Sequence, residues 1–225
     1  MLSAMHRERR LEQVREVRRR LARDGPPWTR GRAGDFETVT VPERDCDALR
    51  DLLVAEGAGT VVEVGLAYGR SALAIGEALV DVGARRPLHV VIDPFQTTEW
   101  SNVGWRLLQS AGLDTIARLV LQPSSQALPR LVAEGLVADA AFVDGSHRFH
   151  EVFVDLSFLR KLVRPGGLVV LDDCWWPSVA AAARYFELNL GWRVVPDAVD
   201  GDRLQVLRLP DPPFEPAFEH FRPFL

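Results

Sequence analysis

Apolar positions in this chain fall mostly into short β-branched runs separated by stretches with helical spacing, and that alternation predicts a succession of βα units. The first segment differs. Leu11, Val14, Val17 and Leu21 form one narrow stripe over residues 5–23 with arginine on the other sides, which predicts an amphipathic helix docked by one face. Gly25-Pro26-Pro27 ends it, and Trp28 to Glu37 reads as a loop. A helix over 46–55 precedes a buried strand of Val61, Val62 and Val64, in which Glu63 is the one polar intrusion. Helices are then expected at 71–82, 99–111, 125–134, 147–163 and from Pro177 to just before Gly191. Strands are expected at 88–93, 118–121, 138–143 and 168–171. Trp192 to Val195 and Arg203 to Leu209 flank the hairpin signal Asp200-Gly201.

Repeated βα units imply an α/β fold: a mostly parallel sheet with helices on both faces. The closing hairpin requires an antiparallel strand at its end. The last stretch alternates Pro with Phe214, Phe218, Phe221 and Phe224, and reads as an extended tail along the body or along a partner subunit.

Composition narrows the classes. A chain of 225 residues with 47% hydrophobic and 26% charged positions can build one sizeable core. Its net charge of −4 offers no general nucleic-acid footprint. Charge is uneven, however: the first 32 residues hold ten arginines against Glu8, Glu12, Glu16 and Asp24. That helix could dock on the body, pair with a second copy in a homodimer, cover a site or contact RNA. Two cysteines, Cys46 and Cys174, are too few for a disulfide scaffold or a zinc motif. No apolar run is long enough to span a membrane and no secretory signal opens the chain, so the expected location is cytoplasmic.

The chemistry-bearing residues cluster at predicted strand ends, where open α/β sheets bind ligands. After the first strand the chain passes through Gly65, Ala67 and Gly69 into a helix, leaving backbone N–H groups free for a ligand. Asp93, ending the second strand, can accept the two hydroxyls of a ribose. A dinucleotide fingerprint would need glycine at 65, 67 and 70, but Ala67 and Arg70 stand there instead. Ser125 and Gln126, after the third strand, can read the polar edge of an adenine, or Ser124 or Ser125 can cap a helix. Asp144 follows the fourth strand, and Asp172 and Asp173 follow the fifth. If these strands are neighbours the three carboxylates converge, and such a cluster needs a shared proton or a cation. Oxygen-only ligands favour a hard ion such as Mg²⁺. Helix capping is the competing role for each aspartate taken alone.

Glu63-Val64-Gly65-Leu66-Ala67-Tyr68-Gly69 resembles the first motif of class I S-adenosylmethionine-dependent methyltransferases. Val143-Asp144-Gly145-Ser146-His147 and Gly166-Gly167-Leu168-Val169-Val170-Leu171-Asp172-Asp173 resemble the metal motifs of cation-dependent O-methyltransferases, among them the catechol, caffeoyl-CoA and macrocin types. The resemblance covers roughly Val41 to Leu209. It implies a Rossmann-like, seven-stranded, mostly parallel sheet with a terminal antiparallel hairpin strand, S-adenosylmethionine as cofactor, and Mg²⁺ or another divalent cation. It places metal ligands at Asp144, Asp172 and Asp173, and cofactor contacts at Glu63, Gly65, Ala67, Tyr68, Gly69, Ser71, Asp93, Ser125, Gln126 and Asp144. Two positions depart from the catechol type: His147 stands where those members carry Lys, and Asp173 where they carry Asn. Histidine can still accept a hydroxyl proton, so His147 is the expected base.

His150, Trp175 and Trp176 are expected to wall the acceptor, with one of the two tryptophans packed in the core. The implied organisation is an arginine-rich segment over 1–34, a methyltransferase domain over 35–210 and a tail over 211–225. The acceptor is a small-molecule hydroxyl: a diol, a catechol or a sugar of a natural product. A metal-independent methyltransferase is one alternative. A non-catalytic protein that binds the cofactor or RNA is the other.

Overall fold

A computed structural model describes residues 4–27, 35–199 and 201–224. The predicted loop beginning at Trp28 lies outside the described residues through position 34, as does Asp200 of the hairpin signal. In chain order the elements are α1 (Ala4–Asp24), α2 (Phe36–Val39), α3 (Glu43–Ala55), β1 (Thr60–Val64), α4 (Arg70–Val82), β2 (Leu88–Ile92), α5 (Val103–Ser110), β3 (Ala117–Val120), α6 (Ser124–Ala133), β4 (Ala138–Val143), α7 (Phe149–Leu162), β5 (Val163–Leu171), α8 (Pro177–Leu190), β6 (Arg193–Val194) and β7 (Gln205–Arg208). The seven strands form one sheet in the order β3-β2-β1-β4-β5-β7-β6. β1 to β5 run parallel, and β7 pairs antiparallel with β5 and with β6.

Alternation along the strands sorts the core onto two faces. Val62, Val64, Val90 and Ile92 pack with Leu128 of α6, Leu156 of α7 and Phe186 of α8. Val61, Phe142 and Val170 face the other way, onto Leu49 of α3 and Ile75 of α4. The α1 stripe (Leu11, Val14, Val17 and Leu21) is buried against that second side, beside Ala72 and Leu73 of α4. The arginines of α1 are not all solvated. Arg18 is buried and bonds Glu77 of α4 at 2.6 Å, and Arg15 reaches the same carboxylate at 2.8 Å.

Several boundaries differ from the sequence expectation, and among them β5 begins at Val163 rather than Leu168. α5 begins at Val103 rather than near Glu99, because residues 94–102 are taken up by turns with Ser101 and Asn102 at positive φ. α7 begins at Phe149, leaving His147 in the loop before it. α2 lies where part of a loop was expected, held by the Arg70 guanidinium stacked over Phe36 and paired with Glu37. The tail runs along the body: Phe224 stacks on Phe149 and meets Tyr185 edge-on, and the Arg222 amide bonds Asn189.

Candidate active site

Strand register builds the site. Ile92, Val64, Val143 and Leu171 are aligned across β2, β1, β4 and β5, so the next residues emerge in a row at the carboxyl edge. Those residues are Asp93, Gly65, Asp144 and Asp172. β1 is also where the sheet order reverses direction, the place where open α/β sheets form their ligand crevice. A cavity of about 540 Å³ opens there, lined among others by Gly65, Ala67, Asp93, Ser125 and Asp144.

Gly65 is required by close approach. Its φ is +98°, and a Cβ at this position would lie 2.2 Å from the Asp144 carbonyl oxygen. Asp93 organises the same loop, accepting the Leu66 and Ala67 amides at 3.2 and 3.0 Å and the Phe95 amide at 2.7 Å. Its carboxylate is therefore set in place before any ligand arrives.

Several expected contact residues stand behind the cavity wall. Alternation directs Glu63 away from the cavity towards α4. There it is fully buried, accepting from the Ser71 hydroxyl at 2.6 Å and pairing with His89 at 2.8 Å. Glu63 and Ser71 therefore brace the glycine turn from below. Tyr68 is buried, bonds Asp35 through its hydroxyl, and packs edge-on to Phe36 and Trp100. Gly69 turns the chain into α4 at φ +81°. Gln126 is exposed outside the cavity, because the first turn of α6 carries it past the rim.

The acid cluster resolves differently from three converging carboxylates. Arg203, which precedes β7, bonds both oxygens of Asp172 at 2.7 and 2.8 Å. Antiparallel pairing of β7 on β5, with Gln205 opposite Leu171, brings Arg203 to this edge. Asp173 sits at φ +55°, and its carboxylate lies 2.8 Å from His147 Nε2 and 3.4 Å from the same Arg203 guanidinium. One ligand atom each from Asp144, His147 and Asp173 lies within 4.8 Å of the others. The set at the open edge is thus two carboxylates and an imidazole, with Asp172 neutralised beside it.

Electrostatics follow from this arrangement. Burial, then the charges of Asp172 and Asp173, push the Asp144 carboxyl well above its ordinary range, and Arg203 does not offset them. Burial and Asp172 likewise raise Asp173, against Arg203 and His147. Burial pushes the Cys174 thiol up to about 12, so it stays an unreactive neutral group.

Trp175 and Trp176 are 50% and 49% exposed, so neither is the core residue expected of one of them. Trp176 stacks on His147 at 5.8 Å, and Arg203 lies over Trp175 at 4.9 Å. His150 lies on the cavity rim, strongly exposed and apart from the three-residue cluster, because α7 starts after His147 and the two histidines share no helix face. Ser146, inside the quoted motif though given no role there, also lines the cavity, as do Phe95, Trp100 and Asp155, which carried no signal in the sequence. Arg203 was equally silent, since its role depends on which strand lies beside β5.

A family model described as a methyltransferase domain matches residues 62–174, which include the glycine turn, Asp93 and the acid cluster. The chain belongs to this methyltransferase-domain family. No curated protein sequence matches this methyltransferase. Among solved structures it is similar to an O-methyltransferase from Bacillus cereus in complex with S-adenosylhomocysteine, at 16% identity and TM-score 0.61, over 89% of this chain and 90% of that one. The O-methyltransferase TomG from Streptomyces achromogenes, involved in tomaymycin synthesis, matches at 18% identity and TM-score 0.63, over 89% of each chain. CalS11, a TDP-rhamnose 3′-O-methyltransferase of calicheamicin biosynthesis, matches at 16% identity and TM-score 0.58, over 92% of this chain and 96% of that one. At these identities the likeness establishes the shared fold. Among the described residues no helix is long and apolar enough to cross a membrane.

Proposed function

We propose that this methyltransferase moves a methyl group from S-adenosylmethionine to a hydroxyl of a small molecule, a diol, catechol or sugar. The observation that carries this reading is the His147–Asp173 pair beside the raised carboxyl of Asp144, which itself lines the glycine-turn cavity. Both kinds of structural relative described above, a complex with the spent donor and a sugar O-methyltransferase, agree with it.

The sulfonium donor supplies an electrophilic methyl group, and transfer is an in-line displacement in which alignment provides much of the rate. The residues account for the rest. Asp93 and the turn at Gly65 shape the donor end of the cavity. Asp173 lies 2.8 Å from His147 Nε2 and holds that side of the ring, so Nδ1 is the atom assigned to take the hydroxyl proton. Trp176 stacked on His147 restricts the ring further and offers a flat wall for the acceptor.

The cluster fits a divalent ion. Three aspartates face one arginine, so negative charge remains in excess, and the donor atoms of Asp144, His147 and Asp173 are already close together. Asp144 and Asp173 would hold the ion, with His147 alongside, and an ion there would lower the pKa of a hydroxyl and fix its position. Carboxylates suit Mg²⁺ or Mn²⁺, while a nitrogen in the set widens the choice to softer ions. A metal-independent reading has its own support in the direct 2.8 Å contact of His147 with Asp173, which forms a base without any ion.

Methyl transfer from labelled S-adenosylmethionine to a panel of catechols and sugar diols, in EDTA and with added Mg²⁺ or Mn²⁺, tests both. Turnover restored by the ion supports the assisted mechanism. Full turnover in EDTA leaves His147 as the sole activating group, and no transfer to any hydroxyl acceptor defeats the proposal.

A further inference from the structure

The donor cavity contains one buried carboxylate that neither the glycine turn nor the acid cluster employs. Asp155, on the second turn of α7, is 2% exposed and lines the cavity beside Pro123, Ser124 and Ser125. Its Oδ1 has no hydrogen-bond partner among the described residues. Burial pushes this carboxyl up to about 6, the Ser124 hydroxyl holding it lower and the Glu151 charge adding to the rise. A buried acceptor without a donor costs stability, so a protein that keeps one in a ligand cavity has a use for it.

Facing it is the start of α6. Ser124 and Ser125 occupy the first turn, where backbone amides have no carbonyl within the helix, while the Gln126 and Ala127 amides are already taken by the Pro123 carbonyl. The cavity wall here therefore presents an acceptor, the Asp155 oxygen, next to backbone donors. A heterocycle edge carrying an exocyclic amino group beside an unprotonated ring nitrogen is complementary to that pair. Adenine has such an edge; hypoxanthine, with a carbonyl beside a protonated nitrogen, has the reverse.

We propose that Asp155 is the residue that selects the adenine base of the donor, accepting its exocyclic amino group while the α6 amino terminus donates to the adjacent ring nitrogen. This rests on the reading of the cavity as the S-adenosylmethionine site. It replaces Gln126, which the structure leaves outside the cavity, with a residue from a different helix that no motif marks.

Calorimetric titration of the full chain with S-adenosylhomocysteine and with S-inosylhomocysteine, which differ only at the base, tests this. Wild type should prefer the adenosyl compound by about 10- to 100-fold, the range for one hydrogen bond to a charged group. Asp155→Leu should lose that preference through weaker adenosyl binding. Asp155→Asn, whose amide can accept or donate, should lose it by the opposite route, through stronger inosyl binding. A purely structural role would weaken both ligands together and leave their ratio unchanged. Equal binding of both by wild type, or a wild-type ratio in either variant, overturns the assignment of Asp155 while leaving the cofactor reading intact. Wild type that binds neither compound overturns both.

Discussion

The two ends of β4 and β5 carry similar charged groups and treat them in opposite ways. At the amino end, Asp139 accepts the Gly59 and Thr60 amides at 2.8 and 2.9 Å and pairs with Arg164 at 3.0 Å. Glu56 is shared there between Arg164 and Arg208, so two acids meet two arginines. Burial tends to raise Asp139, but the two amides and Arg164 outweigh it and its carboxyl is lowered. At the carboxyl end, three aspartates meet one arginine, and Asp144 and Asp173 are both raised. β7 runs between these ends, with Arg208 serving one and Arg203 the other. The same strands and residue types thus make a brace where charge is balanced, and a reactive edge where it is left in excess. Strained charge of that kind, in a cavity, marks functional sites more often than structural ones.

The sharpest way to break this contrast is to neutralise one aspartate at each end. Asp144→Asn should lower methyl transfer by about 10²- to 10⁴-fold, the scale of a lost acid–base or ion-holding group. It should nevertheless raise the melting temperature, because a buried carboxyl whose ionised form is disfavoured is replaced by a neutral amide. Activity and thermal melts of the same preparation check both, and unimpaired turnover would remove Asp144 from the site.

Arg203→Met comes next in size. It strands the buried Asp172 charge and should cost about 3–5 kcal/mol in denaturant unfolding, most of it recovered in the Arg203→Met/Asp172→Leu double variant. A loss that the double variant leaves unrecovered would mean the arginine acts on something other than Asp172.

Asp155 sharpens the comparison as a further unbalanced carboxyl at the same edge. With its carboxyl raised to about 6, its ionised form is disfavoured in the folded chain. The favourable contribution of its protonated form is complete below the unfolded value near 4 and lost as pH rises through 6. Asp155→Asn should therefore equal wild type near pH 4 and gain up to about 3 kcal/mol above pH 6.5, followed by unfolding at several pH values without ligand. A gain that does not vary with pH would contradict the cause given.

Asp139→Asn is the smallest and completes the cross. It should lose about 1–2 kcal/mol of stability and leave turnover within twofold, since Asp139 touches only the opposite end of the sheet.

Much of this protein was already determined in its sequence. The βα alternation, the Gly65 turn, Asp93 at one strand end and the acids at two others are local patterns, and local patterns survive without knowledge of neighbours. Seven strands with a closing antiparallel hairpin follow from the same periodicities. Side-chain direction does not. Glu63 belongs to a motif yet faces α4, because alternation within β1 turns it from the cavity. Asp172 and Asp173 are adjacent in sequence, yet Arg203 takes both oxygens of Asp172, while Asp173, at a left-handed backbone, lies between Arg203 and His147. Arg203, Asp155 and the true start of α7 depended on which elements lie side by side. Charge compensation and cavity lining are sums over neighbours distant in the chain, and only the assembled sheet brings those neighbours together.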